Sequence, residues 1–185
     1  TRVPAWFARL PAGVLALTPI AVWSPWPATL PTPAVTRFTH SLPDGQSVIL
    51  PAGRHVVAVS PNGQQIVYVT EGGLQVRSMS SLDVHTIRGT EAHGAISTPV
   101  FSPDGAAIAF WAPVDRTIKT IPVSGGTAVT IASADNPYGM TWSRDSLVLG
   151  QGRKGVMRVR ADGDTPAVLV RVGDDEEAHG PQMLP

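Results

Sequence analysis

Phe101-Ser102-Pro103-Asp104-Gly105-Ala106-Ala107-Ile108-Ala109-Phe110-Trp111 decides how the rest of the chain reads. Its first half is a turn. Pro at the second turn position sets φ, Asp suits the third, and Gly accepts a positive φ at the end. Its second half, Ala107 to Trp111, is an apolar run of strand length. The phrase recurs upstream as Val59-Ser60-Pro61-Asn62-Gly63, ahead of Ile66-Val67-Tyr68-Val69. It recurs downstream as Trp142-Ser143-Arg144-Asp145, ahead of Leu147-Val148-Leu149. The three serines are 42 and then 41 residues apart. A period of ~40–45 residues built from short strands is the signature of a β-propeller blade.

Each repeat parses into four strands. The first gives Val56 to Ser60, Gln65 to Thr70, Leu74 to Ser78 and Val84 to Ile87. The second gives Ser97 to Ser102, Ala107 to Trp111, Thr117 to Val123 and Thr127 to Ile131, with Gly125-Gly126 as the last hairpin turn. The third gives Gly139 to Ser143, Ser146 to Leu149, Gly155 to Arg160 and Ala167 to Arg171, with Asp162-Gly163 as its hairpin turn. The apolar runs are short, β-branched and bounded by Gly, Pro, Asn or Asp, which favours strands over helices. The expected fold is all-β, a partial β-propeller of about three four-stranded blades. Blades are expected near 55–90, 95–133 and 137–172, with the start of a fourth at 180–185. A strand within 35–50 precedes them, placed to serve as the outer strand of a last blade and so close a ring.

Residues 1–34 differ from this region. Between Arg9 and Arg37 lie 27 residues without a charged side chain or a His, and six of them are prolines. Two readings stay open for residues 6–27. One is a membrane span or anchor, given the ~20 apolar residues that a bilayer crossing needs and the flanking Trp23 and Trp26. The other is a Pro-rich apolar linker, since Pro19 breaks a helix in water. The first Met is Met79, and the final residues open a new repeat, so the sequence reads as a piece of a longer protein whose remaining blades lie elsewhere in the parent chain.

Composition narrows the function classes. Lys and Arg total 14, as do Asp and Glu, so the basic stripe of a nucleic-acid binder is lacking. There is no Cys, which removes thiolate metal sites and cysteine nucleophiles. Ser60, Ser102 and Ser143 occupy repeat-equivalent turn positions and no Gly-x-Ser-x-Gly elbow surrounds them, so they read as turn residues. Trp111 and Trp142 read as packing between blades. No cofactor is implied.

At the repeat motif the chain resembles the bacterial PD40, or WD40-like, propeller repeats of TolB-type proteins. Phe101-Ser102-Pro103-Asp104-Gly105 with Ile108-Ala109-Phe110 carries that likeness; the third copy departs from it by losing both Pro and Gly. Residues 35–185 also resemble the C-terminal region of membrane-tethered bacterial serine/threonine protein kinases. Val35-Thr36-Arg37-Phe38, Leu42-Pro43-Asp44-Gly45-Gln46, Asn136-Pro137-Tyr138-Gly139 and His179-Gly180-Pro181-Gln182 carry this second likeness. It implies an extracytoplasmic, periplasmic propeller behind one membrane helix. The kinase motifs themselves are absent from these residues, so the chain is expected to be non-catalytic, a module for sensing a ligand or binding a protein. The alternatives are a TolB-like periplasmic scaffold and the accessory propeller of a serine peptidase.

The links between blades carry the candidate site. Glu91-Ala92-His93-Gly94 and Glu177-Ala178-His179-Gly180 are near-identical, and Asp135-Asn136-Pro137-Tyr138-Gly139 lies between them. In a propeller such links gather on one face near the central channel. His93, Asn136, Tyr138 and His179 are therefore the candidate rim residues for a protein or small-molecule ligand; the competing reading is solvated turns. The acidic run Asp174-Asp175-Glu176-Glu177 lacks the Asp/Gly alternation of a calcium loop and reads as a solvated loop.

Overall fold

The repeated serines organise the blades. In the first repeat the Ser60 amide donates to the Gln65 carbonyl at 2.9 Å, and the Gln65 amide returns a bond to the Ser60 hydroxyl oxygen at 2.9 Å. In the second, the Ser102 amide donates to the Ala107 carbonyl at 2.8 Å and the Ala107 amide to the Ser102 hydroxyl at 2.9 Å. Each hydroxyl then donates to the turn residue two positions on, Asn62 at 2.7 Å and Asp104 at 2.5 Å. The glycine amide closes the turn onto the serine carbonyl, at 2.8 Å in both copies. Gly63 and Gly105 have φ of 69° and 74°, the left-handed region in which glycine carries no Cβ penalty. The motif thus brackets a four-residue loop between two strands and satisfies its polar groups locally.

The structure is a computed structural model that describes Leu42, Ser47, Val48 and residues 53–81 and 83–183. Twelve strands follow in three antiparallel sheets. The first sheet is β1 (Val57–Val59), β2 (Gln65–Thr70), β3 (Gly73–Ser78) and β4 (Val84–Thr86). The second is β5 (Ser97–Phe101), β6 (Ala107–Ala112), β7 (Thr117–Pro122) and β8 (Val129–Ser133). The third is β9 (Met140–Ser143), β10 (Ser146–Gly150), β11 (Val156–Arg160) and β12 (Ala167–Val170). Within each sheet the strands pair in chain order, which is the meander of a propeller blade. The all-β partial propeller expected from the repeats is the observed fold.

Strand alternation builds the inter-blade cores. On β6, Ile108, Phe110 and Ala112 pack with Val67, Val69, Leu74 and Ile87 of the first blade. Ala109 and Trp111, on the opposite face, pack with Met140, Leu147, Leu149 and Val159 of the third. A strand points successive side chains to opposite faces, so one fully apolar strand serves both neighbours. This explains why Ala107 to Ala112 reads as a continuous apolar run.

Two local expectations are corrected. Gly125-Gly126 and Asp162-Gly163 do not make tight hairpins. The nearest paired residues are Thr120 with Val129 and Arg158 with Ala167, leaving wider loops. These loops reach back to the preceding blade: the Gly126 amide donates to the Arg88 carbonyl at 3.0 Å, and the Asp164 amide to the Ile131 carbonyl at 3.2 Å. Strand β8 accordingly starts at Val129 instead of Thr127. In the third repeat, loss of Pro and Gly leaves a two-residue loop, with Ser143 paired to Ser146 and Arg144 at φ 50°.

Most of the expected closing strand at 35–50 and the anchor at 1–34 lie outside the described residues. Val48 is described. It bridges Thr70 and packs against the first inter-blade core. Among the described residues no helix is long and apolar enough to cross a membrane.

Candidate functional site

The innermost strands β1, β5 and β9 lie side by side, so the links that enter them converge. Backbone bonds tie these links together. The Thr98 amide donates to the His55 carbonyl at 2.8 Å, and the Gly180 amide to the Tyr138 carbonyl at 3.0 Å. His55 and Tyr138 are therefore repeat-equivalent, each accepting from the next link round. Space here is tight. A Cβ on Gly139 would lie 2.7 Å from the Gly180 Cα and 3.5 Å from the His55 ring.

A polar and aromatic cluster forms where the links meet. The Arg54 guanidinium lies over the Trp111 ring, 4.6 Å from its centroid, and 5.9 Å from the Tyr138 centroid. Its Nη1 donates to the Pro137 carbonyl at 3.2 Å. Tyr138 in turn packs on His179, with ring centroids 4.6 Å apart and tilted by 39°. The first blade's link thus meets the second blade's Trp111, the third blade's link and the link beyond β12. Trp111 is held rigidly, being buried with its indole N–H donating to the Ala134 carbonyl at 3.1 Å. Burial lowers the Arg54 pKa below its ordinary value, with the nearby Tyr138 acting in the opposite sense.

Of the four residues singled out from sequence, Tyr138 and His179 stand in this cluster. Asn136, at φ 54°, precedes Pro137 and supplies the left-handed turn that delivers the Pro137 carbonyl to Arg54. His93 lies elsewhere. It ends a 3-10 turn, Glu91–His93, with its ring 5.8 Å from Phe110 and Nδ1 3.9 Å from Asp115. The two near-identical tetrapeptides therefore differ in conformation: Ala178 bridges Gly152 in extended form, whereas Glu91–His93 is coiled. Glu91 is engaged locally, accepting from the Gly89 amide at 2.7 Å.

Arg54 carries no motif signal of its own, because it sits in no recurring tetrapeptide. Repeat arithmetic finds it, since Arg54 and Pro137 stand two repeats apart and 83 residues apart in sequence. Ser97 and Thr98, which open β5 against His55, are fully buried, and their hydroxyls have no hydrogen-bond partner among the described residues. Thr98 also holds φ at 52°, a strained value for a β-branched residue, within a bulge between Ser97 and Val100.

The remaining charges form pairs between elements. Asp135 binds both Arg116 and Lys154, at 2.6 Å for the latter, and this lowers its pKa. Lys119 donates to Asp115 at 2.9 Å, and Arg153 lies 3.4 Å from Glu177, which is also 3.4 Å from the His179 ring. Among the described residues no group of three or more His, Asp or Glu side chains is placed to share a metal ion. The acidic run is engaged in part, with Glu176 accepting from the Gly173 amide at 2.9 Å.

No protein-family model matches the chain, and no curated protein matches it by sequence. Solved structures match by fold. In the nidogen/laminin complex, a chain 14% identical aligns over 66% of this chain and 49% of its own length, with a TM-score of 0.56. TolB from Acinetobacter baumannii is 18% identical over 64% of this chain and 32% of its own, with a TM-score of 0.51. Hydrazine synthase of Kuenenia stuttgartiensis is 13% identical over 80% of this chain and 41% of its own, with a TM-score of 0.54. The chain spans half or less of the length of each of these three. At these identities the likeness is one of fold.

Proposed function

We propose that this chain is a non-catalytic propeller module that binds a partner protein through the rim where the blade links converge. The observation that carries the reading is the Arg54, Trp111, Tyr138 and His179 cluster, assembled from separate blades at the inner strands. Arg, Trp and Tyr are the residue types that dominate binding energy at protein interfaces. They stand on links that a rigid scaffold positions. The serine hydroxyls of the repeat motif bond within their own turns, which supports a structural role for them over a nucleophilic one.

The resemblance of residues 35–185 to the propellers of membrane-tethered serine/threonine kinases supports a finer version. In it the module lies on the outer face of a bacterial membrane and its occupancy alters how tethered kinases associate. The fold-level likeness to TolB favours a second version, a periplasmic scaffold without signalling.

Site-specific photo-crosslinking in the native host tests the shared claim. A photoreactive phenylalanine at position 138 is expected to capture a discrete partner, while one at position 85, on the outer strand β4, captures none. Capture from 85 and not from 138 would overturn the rim assignment.

A further inference from the structure

We propose that Arg54 is a carboxylate receptor, taking an acidic side chain from a peptide segment of the partner. This deepens the rim reading and rests on it.

The guanidinium is fixed before any ligand arrives. One face lies on Trp111, and one N–H is held by the Pro137 carbonyl. A planar fork stacked in this way keeps its other donors in the plane, which is the geometry that accepts a carboxylate bidentately. Little side-chain entropy remains to be lost on binding.

Arg54 also differs from the cations that the structure holds in ion pairs. Arg116, Lys119, Arg153, Lys154 and Arg160 each have an Asp or Glu within ion-pair reach. Arg54 has none among the described residues, although it is half-buried. A partly desolvated cation without a counter-ion gains most from an incoming anion. Glu177, which neighbours His179, is paired with Arg153 at 3.4 Å.

The competing role for Arg54 is a clasp between blades with no ligand. Nitrogen-detected NMR separates the two by following the Arg54 Nε–H and Trp111 indole N–H signals. The probes are a blocked hexapeptide carrying two glutamates, its glutamine counterpart, and free glutarate. The glutamate peptide is expected to shift both signals saturably and the glutamine peptide to leave them in place. Arg54→Lys and Arg54→Gln are expected to weaken the glutamate peptide by about tenfold or more, as loss of a charge-assisted bidentate pair implies. The amide spectrum of each variant reports whether the fold is retained. Equal responses to glutamate and glutamine peptides, or an affinity unchanged in a folded Arg54→Lys, would overturn the proposal. Glutarate binding as tightly as the peptide would overturn its peptide part. If position 138 crosslinks a partner but the glutamate peptide leaves Arg54 unmoved, this inference fails while the rim reading stands.

Discussion

Ser102 is buried, yet its hydroxyl both accepts from the Ala107 amide and donates to Asp104. Replacing it with Ala leaves a half-buried amide without its partner. Ser102→Ala is expected to cost about 1–2 kcal/mol in urea denaturation, and Ser60→Ala a similar amount. The Ser102 hydroxyl, followed by the Ala106 amide, holds the Asp104 pKa below its ordinary value. Its folded pKa lies under the unfolded ~3.9, so its stabilising effect is complete above that value and is lost as pH falls through the folded one. Asp104→Asn should keep the turn at neutral pH, since Asn62 fills the same place in the first repeat. It should also lose less stability than the wild type between neutral pH and about pH 3. Paired melts at the two pH values check this. The turn chemistry was legible in the sequence because each role falls to one residue type. Arg54 was not, because its partners Trp111 and Pro137 become neighbours only once three blades are stacked.

At the scale of elements, the strands followed from local pattern and their connections did not. Runs such as Gln65 to Thr70 and Ala107 to Trp111 mark strands because alternating faces are both buried. The loops at Gly125-Gly126 and Asp162-Gly163 are wider than two-residue turns because a turn signal locates a reversal without setting its width. The width here is set by the previous blade, onto which each loop docks. Gly89 is the receiving surface for the first of these contacts. At φ 98°, a Cβ there would lie 1.9 Å from the Gly126 carbonyl oxygen. Gly89→Ala should therefore destabilise by about 2–3 kcal/mol, combining backbone strain with overpacking. Gly63→Ala meets nothing within 4 Å and should cost only the left-handed backbone penalty of about 1 kcal/mol. Chemical denaturation of the two variants side by side measures the difference. Phe110, fully buried between the first two blades, should lose about 3–5 kcal/mol on replacement by Ala.

Across the described molecule, the second inter-blade core buries one face of the third blade. Leu147 and Leu149 point into the second core, so Val148 between them points away. It helps line a groove of ≈ 390 Å³ with Arg158, Leu169 and Met183. Val168, Leu169 and Val170 on the edge strand β12 are about half exposed, at 45%, 50% and 51%. An edge strand with exposed apolar side chains pairs readily with another chain. The chain is expected to self-associate with rising concentration in sedimentation velocity, and Leu169→Lys to reduce that association. A concentration-independent monomer would count against it.

The central claim is that the repeat of 42 and 41 residues is one blade turned about a shared axis, which is what gathers the links into a site. The chain has no cysteine, so paired spin labels enter cleanly. Gln64, Ala106 and Asp145 are exposed and each immediately precedes the second strand of its blade. Distances between labels at Gln64→Cys and Ala106→Cys, and at Ala106→Cys and Asp145→Cys, should be nearly equal. The distance between Gln64→Cys and Asp145→Cys should fall short of their sum, as positions on an arc require. Unequal steps, or an outer distance equal to the sum, would show a straight stack without an axis and would contradict the account.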